Sequence, residues 1–159
     1  MKNSSLCYLE RDGKYLMLHR TKKKNDPNGG KWIGVGGSFE EGESPDECAA
    51  REIFEETGLT VRRLEYRGIV TFVSDEWETE YMHLFTSSDF DGAVLDCDEG
   101  DLAWIPKKDV TSLELWEGDR VFLTLIDGDA PFFSLKLTYE KNKLVRAVID
   151  GRRLEIPEV

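Results

Sequence analysis

At 159 residues the chain fits one domain with a proper core, and its 40% apolar and 33% charged residues are ordinary for a globular protein. A net charge of −11 argues against a nucleic acid polymer as partner, because backbone phosphates are held by basic patches. No apolar run approaches membrane-spanning length, and the opening MKNSSLCYLERDGK lacks a secretory pattern. Cys7, Cys48 and Cys97 are odd in number and show no ligand spacing. The expectation is a cytoplasmic protein with reduced thiols and no membrane partner.

Residues 5–10 and 15–20 are β-prone runs joined by Arg11-Asp12-Gly13-Lys14, a hairpin signal. Residues 21–30 (TKKKNDPNGG) form a polar, turn-rich loop in which Lys22, Lys23 and Lys24 read as solvated. Arg20, at the end of the preceding strand, is a candidate for meeting substrate phosphate. Residues 32–35 should be a short strand delivering a glycine turn that contains Gly34, Gly36, Gly37 and Gly42. A glycine turn entering a helix can present backbone N–H groups to an anion, which makes Gly37 a candidate substrate contact.

The helix has clear punctuation. Ser44 suits the N-cap, Pro45 the first turn, Glu47 completes a capping box, and Gly58 suits the left-handed C-terminal position. Ala49, Ala50, Ile53 and Phe54 form an apolar stripe at helical spacing. Between Glu40 and Glu56 stand eight carboxylates (Glu40, Glu41, Glu43, Asp46, Glu47, Glu52, Glu55 and Glu56) and one basic residue, Arg51. Glu52, Glu55 and Glu56 are neighbours on one face, where like charges cost about 0.2–0.5 kcal/mol per pair. An ordinary solvated face would interleave lysine or arginine there. A hard divalent cation would remove the repulsion, and Mg²⁺ takes a few carboxylates while leaving sites for phosphates.

After the helix, residues 60–73 and 78–86 read as strands, 89–100 as an acidic loop, and 102–105 as a strand stopped by Pro106. Residues 108–113 suit a short turn or helical piece, and 119–127 repeat apolar residues at helical spacing. Residues 132–139 and 144–149 read as two strands across Lys141-Asn142-Lys143. Strands around one strong helix suggest an α+β or α/β sandwich, with a mixed sheet between the glutamate-rich helix and the C-terminal one. No linker divides residues 1–159, so a single domain is expected.

Gly37, Glu43, Arg51, Glu52, Ile53, Glu55, Glu56, Gly58 and Leu59 match the pattern G-x5-E-x7-R-E-U-x-E-E-x-G-U of the Nudix hydrolases at every fixed position. On these residues the chain resembles that family, and the resemblance implies an α/β/α sandwich and hydrolysis of a phosphoanhydride. It further implies that Glu52, Glu55 and Glu56 ligate Mg²⁺ (or Mn²⁺), joined by the Gly36 carbonyl, with Arg51 and Glu43 in support. A further acidic ligand or base often arrives from a distal loop in the family. Glu99 in DCDEGDLAW is the choice, with Asp96, Asp98 and Asp101 as competitors, and the general base stays open among these carboxylates.

Beyond the box, LMLHR, GGKWIGVGG, LAWI at 102–105 and WEGD at 116–119 are similar to MutT-type oxidised purine nucleoside triphosphatases. That likeness implies a base pocket in which Trp116 stacks on a purine and Asp119 reads its edge, with Ser5 and Phe72 in the wall. The chain departs from the related mammalian sanitising enzyme in having Ile33 where an asparagine stands there. It also has Gly118-Asp119 where two adjacent acids stand. The implied substrate is a small nucleotide, foremost 8-oxo-dGTP, cleaved to monophosphate and pyrophosphate in nucleotide-pool sanitation. Another nucleoside diphosphate derivative (a nucleotide sugar or dinucleoside polyphosphate) is the enzymatic alternative, and a non-catalytic nucleotide-sensing module the alternative of another class. An EF-hand is excluded because the carboxylates are helical. Monomer and homodimer both stay open.

Overall fold

Strand β1 (Lys2–Arg11) has no solvent face along its middle: residues 4–9 are all buried. Its side chains alternate between two cores, as strand geometry requires. Leu6 and Tyr8 join a cluster with Phe122, Leu123 and Ile126, whereas Cys7 and Leu9 join Ala49 and Ile53 in another. A strand buried on both sides needs a covering layer on each. The computed structural model describes residues 1–22 and 24–156, so Lys23 of the polar loop and residues 157–159 lie outside the described residues.

The chain continues through β2 (Lys14–Arg20), β3 (Trp32–Ile33), β4 (Val35–Ser38), α1 (Pro45–Thr57), β5 (Thr60–Ser74) and β6 (Glu80–Asp91). It ends with β7 (Gly100–Pro106), α2 (Lys107–Val110), α3 (Asp119–Asp127), β8 (Phe133–Glu140), β9 (Lys143–Ile149) and β10 (Arg152–Leu154). β1 runs parallel to β6 and antiparallel to β4. β5 pairs antiparallel with β6 and parallel with β8, and β9 and β10 complete that edge. β2 turns back from β1 at Asp12-Gly13, both in left-handed conformation, and pairs with β3 and β7. The result is an α+β fold whose mixed sheet carries α1 and α3 on opposite cores, in agreement with the expected sandwich.

Four details differ from expectation. The 32–35 strand is two strands, parted at Gly34, where a Cβ would press on the Cys7 carbonyl at 2.6 Å. Phe54 does not belong to the buried stripe and is 58% exposed; α1 instead buries Cys48, Ala49, Ile53, Glu56 and Thr57. The helix is thus rotated so that Glu56 faces the sheet, where it accepts a backbone hydrogen bond. Residues 89–91, read as loop, extend β6 because Phe90 and Asp91 pair with Val61 and Thr60. β10 follows a left-handed Asp150-Gly151 turn and was not expected, since its sequence RRL has no apolar alternation.

Candidate active site

The helix that carries the acidic residues is fixed at both ends. Ser44 Oγ accepts the Glu47 N–H at 3.2 Å, and Glu47 Oε1 accepts the Ser44 N–H at 3.0 Å, so the capping box is complete. Gly58 closes the helix at φ 80°, its N–H donating to the Phe54 carbonyl. From the helix so set, Arg51 reaches the Ser38 carbonyl, Glu56 the Gly36 N–H, and Glu52 lies against Gly37, all on β4, while the Glu55 side chain is exposed.

Arg51 gathers the carboxylates around it. Its Nε and Nη2 donate to the two oxygens of Glu43 at 2.6 and 2.9 Å, a bidentate pair. Its Nη1 donates to Glu52 at 2.8 Å and Glu55 at 3.0 Å, and Nη2 also reaches the Ser38 carbonyl. The Arg51 hydrogen bonds hold the Glu43 carboxyl down at about 2, and Glu43 in turn pushes Arg51 further up. This explains part of the tolerance for acid on the helix: one guanidinium serves three glutamates.

Glu56 is left outside that arrangement. It is 8% exposed and accepts the Gly36 N–H at 3.0 Å. Burial, then the neighbouring Glu99 carboxylate, push its carboxyl well above the usual range. Burial also raises Glu52, with Glu55 and Glu99 adding to it. Glu99 enters from the segment before β7, and Arg20 Nη1 donates to it at 2.7 Å. Glycine at 36 and 37 allows this close assembly: a Cβ on Gly36 would run into the Ser5 carbonyl, and one on Gly37 would meet the Glu52 carboxylate.

Glu52 and Glu55 are engaged with Arg51, and the described residues contain no three His, Cys, Asp or Glu side chains that already converge on one point. The chemistry of the set nevertheless fits a hard divalent cation. A buried Glu56 beside Glu99 and Glu52 concentrates oxygen donors whose mutual repulsion a cation relieves.

Glu52 and Glu99 open on a cavity of about 660 Å³, whose lining does not include Glu55 or Glu56. Gly36, Gly37, Glu52, Glu99 and Arg20 line one part of it; Phe72, Trp116, Asp119, Leu137 and Tyr139 line another. Trp116 packs edge-on against Phe72 and Tyr139, with ring centroids 5.3 and 5.0 Å away. Burial lifts the Asp119 carboxyl to about 8, against the pull of Arg120 and Lys31. Ser5 also lines the cavity, although its hydroxyl accepts from the Cys48 thiol at 3.4 Å. Arg20 is 8% exposed and is engaged by Asp26 (2.7 Å) as well as Glu99. Of the competitors to Glu99, none of Asp96, Asp98 and Asp101 lines the cavity.

Asp26, Asn28, Leu137 and Tyr139 also belong to this wall and were not singled out from the sequence. Asp-Pro-Asn-Gly at 26–29 is a turn signature that reads as solvated unless its partners are known. Leu135, Leu137 and Tyr139 alternate inward along β8, a visible signal of a buried face but not of a cavity.

The family model described as the NUDIX domain matches residues 2–126. A Bacillus subtilis (strain 168) protein, the uncharacterized Nudix hydrolase YvcI, is 32% identical over 118 residues, covering 71% of each chain. The oxidized purine nucleoside triphosphate hydrolase of Danio rerio is 31% identical over 105 residues, 65% of this chain and 67% of that one. Among solved structures, the MutT protein of Bacillus halodurans superposes with a TM-score of 0.85 at 25% identity, covering 96% of this chain and 99% of that one. With the box complete and its Gly37, Arg51 and Glu52 on the cavity wall, the chain belongs to the Nudix family and is a Nudix hydrolase.

Proposed function

We propose that the chain is a divalent-cation-dependent diphosphatase of nucleoside triphosphates, with 8-oxo-dGTP foremost, releasing nucleoside monophosphate and pyrophosphate. The observation that carries this reading is that one cavity wall holds both Trp116 with Asp119 and Glu52 with Glu99. A nucleotide has the matching chemistry: a flat base at one end and a run of anions at the other. The Danio rerio relative, an oxidized purine nucleoside triphosphate hydrolase, favours an oxidised purine as that base.

Nudix hydrolases use divalent metal ions. Glu52, Glu55, Glu56, Glu99 and the Gly36 carbonyl are the proposed ligands, and their hard oxygens suit Mg²⁺, with Mn²⁺ a substitute. When bound, the cation neutralises charge on the phosphate oxygens. The chain's own groups do the rest. Arg51 and Glu43 orient the helix carboxylates, the Gly37 turn gives the phosphates a close backbone, and Arg20 holds Glu99 in place. One of the glutamates, Glu99 included, takes the proton from the attacking water. Trp116 stacks on the base, Phe72 and Ser5 complete the wall, and Asp119 reads the base edge. With its carboxyl raised to about 8, Asp119 is protonated at neutral pH and both donates and accepts. Stacking alone is tolerant of every base, so discrimination falls on Asp119.

The deciding experiment compares kcat/KM for 8-oxo-dGTP, dGTP, ADP-ribose and a diadenosine polyphosphate with Mg²⁺ present. The reading expects 8-oxo-dGTP to lead dGTP by at least about tenfold, a margin of roughly 1.4 kcal/mol in transition-state binding. A lead for ADP-ribose or the dinucleotide moves the substrate to another nucleoside diphosphate derivative. Binding without release of pyrophosphate or phosphate makes the chain a sensing module.

A further inference from the structure

Arg20, Asp26 and Asn28 form a connection between the two parts of the cavity. Trp116 Nε1 donates to Asn28 Oδ1 at 2.8 Å, and the Asn28 N–H donates to Asp26 Oδ1 at 3.1 Å. The other Asp26 oxygen accepts from Arg20 Nε at 2.7 Å, and Arg20 Nη1 donates to Glu99 at 2.7 Å. The Arg20 and Asp26 side chains are 9% and 4% exposed, so both charges are committed to this pair and to each other's orientation. The loop is held at its base, where Arg20 and Lys31 exchange backbone hydrogen bonds with their neighbours: Arg20 N–H donates to the Lys31 carbonyl and Gly30 N–H to the Arg20 carbonyl. A turn in which Gly29 N–H donates to the Asp26 carbonyl fixes the spacing between Asp26 and Asn28. A carboxylate accepting from both a guanidinium and a backbone amide has little freedom left. Glu99, one-third exposed, is held from one side by Arg20.

We infer that Asp26 and Asn28 are positioning residues that set the base recess and the carboxylate cluster relative to each other, Asn28 by fixing the Trp116 ring and Asp26 by aiming Arg20 at Glu99. The inference rests on the reading of Trp116 as the base platform and Glu99 as part of the cation and reaction site. It also assigns Arg20 a structural duty in place of direct phosphate contact. Because Asp26 receives both strands of the network, its loss disturbs both ends, whereas loss of Asn28 disturbs the recess alone.

The test compares wild type, Asn28→Leu, Asp26→Ala and the volume-preserving Asp26→Asn, using 8-oxo-dGTP and inorganic tripolyphosphate, which has no base. Asn28→Leu should raise KM for the nucleotide about fivefold or more, with kcat and all tripolyphosphate parameters within twofold of wild type. Asp26→Ala should lower kcat on both substrates about tenfold and also raise KM for the nucleotide. Asp26→Asn, which keeps an acceptor for Arg20 or Asn28, should recover part of both losses and covers the case in which the alanine variant does not fold. Equal effects of Asn28→Leu on both substrates, or an Asp26→Asn enzyme with wild-type constants, would overturn the inference. Nucleotide affinity in EDTA, read by tryptophan fluorescence, gives a readout that needs no turnover: Asn28→Leu must weaken it about fivefold. If wild type hydrolyses nothing but the affinity loss is seen, the reaction assigned above fails and the recess half of the inference stands; if the affinity is unchanged, the inference fails by itself.

Discussion

Gly37 lies against Glu52 so closely that a Cβ at position 37 would stand 2.5 Å from the Glu52 carboxyl carbon and 2.6–2.7 Å from its oxygens. The atoms in the way are the end of a flexible side chain, so the fold can yield by moving Glu52. Gly37→Ala should therefore fold, with Tm within a few degrees of wild type, and lose at least about tenfold in kcat, because misplacing a catalytic group by an ångström costs rates of that order. Circular dichroism melting and turnover under saturating Mg²⁺ check the two halves separately. An active Gly37→Ala enzyme would show that the position of Glu52 does not matter.

Glu56 should show opposite effects on stability and turnover. It is buried beside Glu99 and Glu52, an arrangement that is costly for a metal-free chain and useful to a cation-bound one. Glu56→Gln keeps the size and an acceptor for the Gly36 N–H. In EDTA its Tm should equal or exceed that of wild type. Adding Mn²⁺ or Mg²⁺ should raise the wild-type Tm through preferential binding to the folded state and leave the variant unmoved. Its kcat should fall about a hundredfold or more. Wild-type turnover by Glu56→Gln at saturating Mg²⁺ would remove it from the ligand set.

How much of this was legible in the sequence depends on whether the signal was local. The Ser44–Gly58 helix and its caps are written within two dozen residues, and the structure reproduces them at the same positions. The rotation of that helix was not legible. Ala49, Ala50, Ile53 and Phe54 look like a stripe, but Phe54 is exposed because Glu56 is drawn to the Gly36 N–H, a partner twenty residues away. The loop at 21–30 is turn-rich with Lys22 and Lys24 exposed, as expected, but its inward contacts were not legible for the same reason. Asp26 and Asn28 are turn residues by composition, and only the arrival of Arg20 and of Trp116, 88 residues distant from Asn28, turns them into part of a cavity wall.

Asp119 predicts a pH dependence of stability. Its folded carboxyl stands at about 8, against an unfolded value near 3.8. Between those values the folded state retains a proton that the unfolded state has lost, so stability falls as pH rises from about 4 to about 8 and is level beyond. Asp119→Asn has no such slope. Its Tm relative to wild type should rise by ~3 °C or more from pH 5 to pH 8, since a 1 kcal/mol change shifts a domain of this size by about 2–4 °C. A parallel pair of Tm–pH curves across that window would place Asp119 in contact with solvent or a cation.

Tyr139 carries the last prediction, and it concerns residues 127–159, beyond the stretch matched by the family model. Its hydroxyl accepts the Gly118 N–H at 2.7 Å, and its ring packs against Trp116 and Phe72. Gly118 leaves no room for a larger residue, since a Cβ there would meet the Leu137 methyl at 2.5 Å and the Tyr139 hydroxyl at 2.6 Å. Strand β8 thus presses on the turn that separates Trp116 from Asp119, the proposed platform and edge reader. Tyr139→Phe keeps the ring and strands a buried N–H, which costs about 1–3 kcal/mol. The expected result is a Tm lowered by several degrees and a KM for nucleotide raised about threefold to tenfold, with kcat on tripolyphosphate within twofold of wild type. Gly118→Ala should reproduce the KM effect through the opposite fault, overfilling the same contact. If both variants lose stability but keep the nucleotide KM, the C-terminal strands serve the fold and not the recess.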